Sequence, residues 1–344
     1  MKLPRRNFLR LAAGAAGMMA TLAAITLPAG AQAPTLAGKN FTMIIGSGTG
    51  GGTDLWGRVV ARHIGKHLPG KPTVVPQNMP GAGGLNAANH IYNTAPKDGT
   101  VLGFIVSSTP LGPLTGAAGD RFDPLKLTWV GTPTTQTFVC LAMARAQVKT
   151  FQDLLAKELI VGTSGVGSGS YTYPKALNGL LGAKFKLVSG FPIVSNVLLA
   201  LERNEVDGVC ISLEGVVTLR PDWIAGKKVN VLFQGGARPK SELKGVPFIV
   251  DLARTPEEKQ AIEFLYAGNN LGRPFIAPPD MSSELVKMLR DAFNATMRDP
   301  QFLADAERQK LDVAPEDGEN LAALIRKIYA TPKPIVDKVT ELIK

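Results

Sequence analysis

A short apolar run, a glycine-rich loop and an amphipathic helix follow one another twice in this chain, once in each half. That repeated order constrains the fold more than any other feature. In the first half the run is 41–45, the loop 46–54 and the helix 54–67, with Leu55, Val59 and Ile64 on one face. In the second half the run 159–161 leads through Gly162-Thr163-Ser164-Gly165-Val166-Gly167-Ser168-Gly169-Ser170 into a helix over 171–181. Further apolar runs at 74–75, 101–106, 138–143, 185–188 and 206–211 read as strands. Helical patterns through Tyr92, from a Thr150 cap and over 196–203 separate them. Such alternation predicts an α/β fold, parallel strands joined by crossover helices. Beyond Pro278 the pattern is almost wholly helical, clearest over 282–297, 300–309 and 320–329.

Residues 1–33 stand apart. A basic start, an apolar run over 11–27 and the small-x-small triplet Ala31-Gln32-Ala33 form the three parts of an export signal. Arg5-Arg6-Asn7-Phe8-Leu9 resembles a twin-arginine signal. The expected mature protein is periplasmic and begins after Ala33. The formal charge of +10 falls to +6 once the leader's Lys2, Arg5, Arg6 and Arg10 are set aside. No block of five like charges remains, so nucleic-acid binding is not expected. A hydrophobic fraction of 45% with 19% charged residues also excludes a disordered chain.

Glycine ahead of a helix lets the backbone approach an anion, and the unpaired N–H groups and aligned dipoles of the helix start attract it. Three loops have this form: 46–54, 80–84 and 164–170. At the carboxyl ends of parallel strands, on two domains, they would line a cleft suited to a small carboxylate. Gly46-Ser47-Gly48-Thr49-Gly50-Gly51 also satisfies the dinucleotide-binding spacing, so an exported cofactor-dependent oxidoreductase is the competing reading. The acidic residue expected about twenty positions later is missing; His67-Leu68-Pro69-Gly70 stands there instead. No cofactor is therefore expected.

Catalytic patterns are thin. His63 and His67 are four apart but lack the Glu of a zinc-protease motif, and read as a solvated helix end rather than metal ligands. His90 reads as structural. No Ser has Gly on both sides at the spacing of a nucleophile elbow. Cys140 and Cys210 lie in apolar runs. An oxidising compartment permits a bridge, but two small buried thiols are favoured. Trp56 packs either in the core or along the cleft.

The chain resembles the Bug family, the solute receptors of tripartite tricarboxylate transporters. The residues that carry the resemblance are Gly50-Gly51-Gly52-Thr53-Asp54, then Gln77-Asn78-Met79-Pro80-Gly81-Ala82-Gly83-Gly84, then Ala95-Pro96-Lys97-Asp98-Gly99-Thr100, and finally Pro278-Pro279-Asp280-Met281. It implies a two-domain periplasmic binding protein of type II-like, Venus-flytrap architecture, closing on a carboxylate about a hinge. The implied divisions are 1–33 for the leader, 34–137 and 267–344 for the first domain, and 138–266 for the second. The implied ligand contacts are Ser47, Gly48, Gly51, Thr53 and Asp54 in the first loop and Gly81, Gly83 and Gly84 in the next. To these are added Ser107 and Thr109 after the third strand, and Ser164, Gly167, Ser168 and Tyr171 in the second domain. Asp54 is expected to act as a helix cap rather than to touch the ligand. Implied partners are a small organic acid anion and, transiently, the permease subunits, with the receptor monomeric and without metal or catalysis. Gly46-Ser47-Gly48-Thr49 departs from the family's usual Pro-containing lead. The His that often follows its second-domain Gly-Ser, and its tyrosine-containing turn near Gly190-Phe191-Pro192, are also absent. The ligand's identity therefore does not carry over.

Overall fold

The computed structural model describes residues 34–50, 52–116, 119–164, 168–191 and 194–344. The expected leader over 1–33, Gly51, Gly165, Val166, Gly167 and Pro192 lie outside the described residues. Apolar runs become two sheets. The first contains β1 (Asn40–Ile45), β2 (Thr73–Asn78), β3 (Val101–Phe104) and β4 (Thr128–Thr132). The second contains β5 (Phe138–Met143), β6 (Leu159–Gly162), β7 (Phe185–Val188), β8 (Gly208–Ser212) and β9 (Val229–Gly235). The chain then returns to the first sheet with β10 (Phe275–Ala277) and β11 (Glu316–Asp317), giving orders β11-β4-β10-β3-β1-β2 and β7-β6-β8-β5-β9.

Both sheets are mixed rather than wholly parallel. β1 runs parallel to β2 and β3, and β6 to β7 and β8. The strands at the passage between sheets are antiparallel: β5 to β8 and β9, and β10 to β3 and β4. The register of β5 on β8 puts Cys140 opposite Cys210, and the two are disulfide-bonded. The expectation of separate thiols is thereby corrected. Nothing in the local sequence reveals which strands become neighbours.

The helices are α1 (Gly52–Ile64), α2 (Leu85–Asn93), α3 (Gly112–Thr115), α4 (Phe151–Ala156), α5 (Gly169–Leu181), α6 (Val194–Glu202) and α7 (Leu213–Leu219). They continue with α8 (Asp222–Ala225), α9 (Pro256–Leu265), α10 (Ala267–Leu271), α11 (Ser283–Met297), α12 (Pro300–Arg308), α13 (Gly318–Tyr329) and α14 (Lys333–Ile343). Some of their starts follow from capping chemistry. Thr150 and Asp153 form a reciprocal capping box on α4, and Ser282 caps α11 through the Leu285 N–H. The apolar face of α1 (Trp56, Val59, Val60 and Ile64) packs with Phe41, Phe104 and Phe293 in one core beneath the first sheet. Trp56 is thus a core residue, 3% exposed. A second core joins the two halves, running from Ile44 and Leu85 through Phe138 and Tyr266 to Val339. Within it α14 lies on α5 and α9 and also touches α3.

His63 and His67 are not a solvated helix end. His63 Nε2 lies 3.0 Å from Asp305 and His67 Nε2 2.8 Å from Asp299, two carboxylates of the α12 segment. Among the described residues no group of three potential ligands could hold a metal ion. Lys66 pairs with Asp299, and Arg62 and Arg308 with Asp305. The Lys66 ammonium holds the Asp299 carboxyl well below the usual range, against the effect of burial. At Asp305 burial acts upward but is outweighed by His63, Arg62 and Gln309. A carboxyl depressed in the folded state stabilises it above the unfolded value near pH 4, and that contribution disappears as pH falls further. Each carboxylate should contribute on the order of 2 kcal/mol above that point. The urea midpoint should therefore drop between pH 5 and pH 2.5. In the double variant Asp299→Asn, Asp305→Asn the drop should be clearly shallower; an unchanged drop would refute the assignment.

Candidate functional site

β1, β2 and β3 end side by side, and their outgoing loops meet. The Gly46 N–H donates to Phe104 O at 2.8 Å and the Met79 N–H to Ile45 O at 2.8 Å. Gly84, at φ +96°, lies so close that a Cβ there would stand 2.7 Å from Thr109 Oγ1. Those after β2 and β3 face the loops after β6, β7 and β8, whereas no described residue of 46–54 reaches the space between. Between them is a cavity of about 1000 Å³, lined by residues of both halves, of the crossovers and of α14.

The residues expected to bind ligand divide into two groups. Ser107, Ser164 and Ser168 line this cavity. The hydroxyls of Ser164 and Ser168 both meet Ser170 Oγ, at 3.2 and 2.9 Å, and the Ser164 N–H donates to it at 3.0 Å. This hydroxyl cluster gathers at the start of α5, with Ser170 on its first turn, Ser168 just before it and Ser164 in the loop after β6. Ser47, Gly48, Thr53, Asp54, Gly81, Gly83, Gly84, Thr109 and Tyr171 are not part of the lining. Gly51 and Gly167 fall outside the described residues. Ser47 is half-buried and Gly48 exposed. Gly81 and Gly83 flank Ala82, which does line the cavity, and Thr109 is buried behind Gly84. Tyr171 turns aside, its hydroxyl accepting from Lys175 Nζ at 3.1 Å.

Asp54 is not the cap of α1, which begins two residues earlier. Its carboxylate reaches back to the Gly50 N–H (2.9 Å) and accepts from Arg58 Nε (2.9 Å) and Asn78 Nδ2 (2.8 Å). Burial raises its pKa, but these hydrogen bonds outweigh it and hold the group ionised below its ordinary value. Asp54 therefore braces the first loop, with Asn78 also donating to Ser47 O at 3.0 Å.

Several lining residues were not legible as such. Gln136 comes from the crossover before β5, Phe138 from the start of β5, Phe264 from α9, Asn269 from α10 and Tyr173 from α5. Phe138 and Tyr173 lie 4.3 Å apart by ring centroids, and Tyr173 stacks on Tyr266 at 4.6 Å. The Tyr173 hydroxyl donates to Asn269 Oδ1 at 2.9 Å, and burial pushes both tyrosines well above their usual pKa. Only the Asn269-Asn270 pair between apolar neighbours hinted at this. Arg273 is another. Its Nη1 lies 3.5 Å from Thr53 Oγ1, and among the described residues it makes no ion pair. Burial lowers its pKa, with the Glu214 charge opposing. The Glu214 carboxyl is itself raised by burial and leaves Oε2 without a partner among the described residues.

Residues 57–340 match the family described as tripartite tricarboxylate transporter family receptor. The fold is similar to that of a TctC solute-binding protein from Polaromonas, with TM-score 0.68, 19% identity, and coverage of 87% of this chain and 98% of that one. It is also similar to Rpa4515 of R. palustris solved with adipate, with TM-score 0.57, 18% identity and coverage of 87% and 97%. MatC of Rhodopseudomonas palustris with bound malate gives TM-score 0.54 and 20% identity, covering 89% and 99%. The dinucleotide-enzyme alternative finds no support in these matches, which are to solute-binding proteins. With the match spanning most of its length on a frame of two mixed sheets about a shared cleft, this chain belongs to the tripartite tricarboxylate transporter receptor family.

Proposed function

We propose that this protein captures a small organic acid anion in the cleft between its two sheets and delivers it to the permease subunits of a tripartite tricarboxylate transporter. The observation that carries this reading is the make-up of the cavity wall. Among the described residues it contains no Asp or Glu, while the Ser164–Ser168–Ser170 hydroxyls and the start of α5 face Ser107 and Ser108 across it. Hydroxyls and a helix N-terminus favour a carboxylate, and an acidic wall would repel it. The malate and adipate bound to similar structures point the same way. The loop residues Ser47, Gly48, Gly51, Thr53, Gly81, Gly83, Gly84, Thr109, Gly167 and Tyr171 are proposed to approach the ligand as the lobes close about the crossovers, which is hinge closure. The working division is 34–137 with 267–344 against 138–266. The protein is proposed to act as a periplasmic monomer after removal of residues 1–33. Among the described residues no helix is long and apolar enough to cross a membrane.

The test is a thermal-shift screen of the mature protein against carboxylic acids, their amides and matched amines. A ligand present at one hundred times its Kd should stabilise the native state by about 2.7 kcal/mol. At least one acid should raise the melting temperature while its amide does not. A shift confined to amides or amines would refute carboxylate capture.

A further inference from the structure

The cavity is more apolar than a compact polyanion requires. Its volume of about 1000 Å³ lies at the top of the range for pockets that hold drug-sized ligands, roughly 300–1,000 Å³. Leu85 and Leu111 form one wall, Val194, Ile211 and Leu219 the other, and the Phe138–Tyr173 ring pair contributes an aromatic surface. Lys344 is the one cationic side chain among the described lining residues. A second or third carboxylate would thus meet only neutral groups such as Ser107, Ser108, Gln136 and Ser212, with no cation besides Lys344, and burying a charge without a counter-charge is unfavourable. One carboxylate has its donors at the serine cluster.

The crossover adds a second polar point. Asn269 lines the cavity and is 6% exposed; its Oδ1 is occupied by the Tyr173 hydroxyl, and its Nδ2 has no partner among the described residues. A buried donor left unpaired in a native structure calls for an explanation, and a ligand acceptor supplies one. The Tyr173 ring ties this amide to the aromatic surface, because the ring that pairs with Phe138 also carries the hydroxyl bonded to Asn269.

We infer that the ligand is an aryl monocarboxylate, its carboxylate at the Ser164–Ser168–Ser170 cluster, its ring against Phe138 and Tyr173, and a hydrogen-bond acceptor at its far end met by Asn269 Nδ2. This rests on the reading of the chain as a carboxylate receptor. Asn269 then selects for the far group, and the apolar walls select against citrate-like ligands.

Calorimetry on the mature protein, unmodified and as Asn269→Leu, tests this with 4-methoxyphenylacetate, phenylacetate, adipate and citrate. The unmodified protein should bind both aryl acids more tightly than adipate or citrate, and the methoxy compound the more tightly of the two. Asn269→Leu, which also frees the Tyr173 hydroxyl, should weaken 4-methoxyphenylacetate at least about tenfold more than it weakens phenylacetate, since a site built for a polar group discriminates by that group. If Asn269→Leu fails to fold, the ranking of the two aryl acids on the unmodified protein decides the role of Asn269. Equal affinity for the two would overturn that role. Tighter binding of adipate or citrate would overturn the inference and leave carboxylate capture standing. Failure of all four acids, with capture of a neutral or cationic compound in the wider screen, would overturn both.

Discussion

Replacing Cys140 and Cys210 together by Ala lowers the free energy of unfolding by about 4 kcal/mol, the loop-closure value for a 70-residue separation. The bond joins neighbouring antiparallel strands β5 and β8 at directly opposed positions, with Cα atoms 4.0 Å apart and both residues fully buried. Its stabilisation comes chiefly from the unfolded chain, which loses conformations when residues distant in sequence are tied together. The native packing supplies little of the difference, because Ala fills most of the space of Cys. Urea unfolding of the oxidised protein should therefore show a higher midpoint than the double variant. The same protein unfolded and refolded under reductant should match the variant. Coincident midpoints for oxidised and reduced protein would show that the two sulfurs are not joined.

Gly272→Ala is expected to cost a similar amount, about 4 kcal/mol, to which backbone strain and overpacking contribute comparably. Gly272 ends α10 at φ +64° and ψ −110°, a conformation that residues with a side chain avoid. A Cβ there would stand 2.0 Å from Thr134 O and 2.9 Å from Thr135 Cα. Those are main-chain atoms of the other crossover, so no side-chain rotation relieves the clash. The two segments linking the sheets touch at this point, and their separation sets how the lobes meet. Gly245→Ala provides the control: φ is +86° there, but nothing lies within 4 Å of the added carbon. It should cost only the conformational part, on the order of 1 kcal/mol. Equal urea midpoints for the two variants would remove the argument for backbone contact. Gly272→Ala should also weaken ligand binding in calorimetry, because a displaced crossover misaligns the facing loops.

The pattern of local elements was readable because each depends on a few adjacent residues. Apolar runs at 138–143 and 185–188 become β5 and β7 with those same limits, and Thr150 caps α4 as its chemistry predicts. The loops at the ends of β1, β2 and β6 were readable for the same reason, since glycine before a helix has a local meaning. Short strands were not. β10 has three residues between Pro274 and Pro278, and β4 carries Gly131 where a strand pattern would place a branched residue. Both are held in place by their neighbours in the sheet rather than by their own composition. Asp54 shows the same limit at the scale of one side chain. Its position near a helix start suggested a cap, whereas Arg58 and Asn78 turn it into a brace.

The order of residues alone determined the α/β class, the glycine-rich loops at strand ends and the resemblance that named a receptor family, because each rests on neighbours within a turn or two of chain. Tertiary structure decided which strands adjoin, hence the Cys140–Cys210 bond, and which side chains share the cleft. Phe138, Tyr173 and Asn269 come together only because the start of β5, α5 and α10 converge there, and no local periodicity encodes a meeting of residues about 130 positions apart. Local chemistry specifies elements; burial and backbone closure, acting over the whole chain, specify the site.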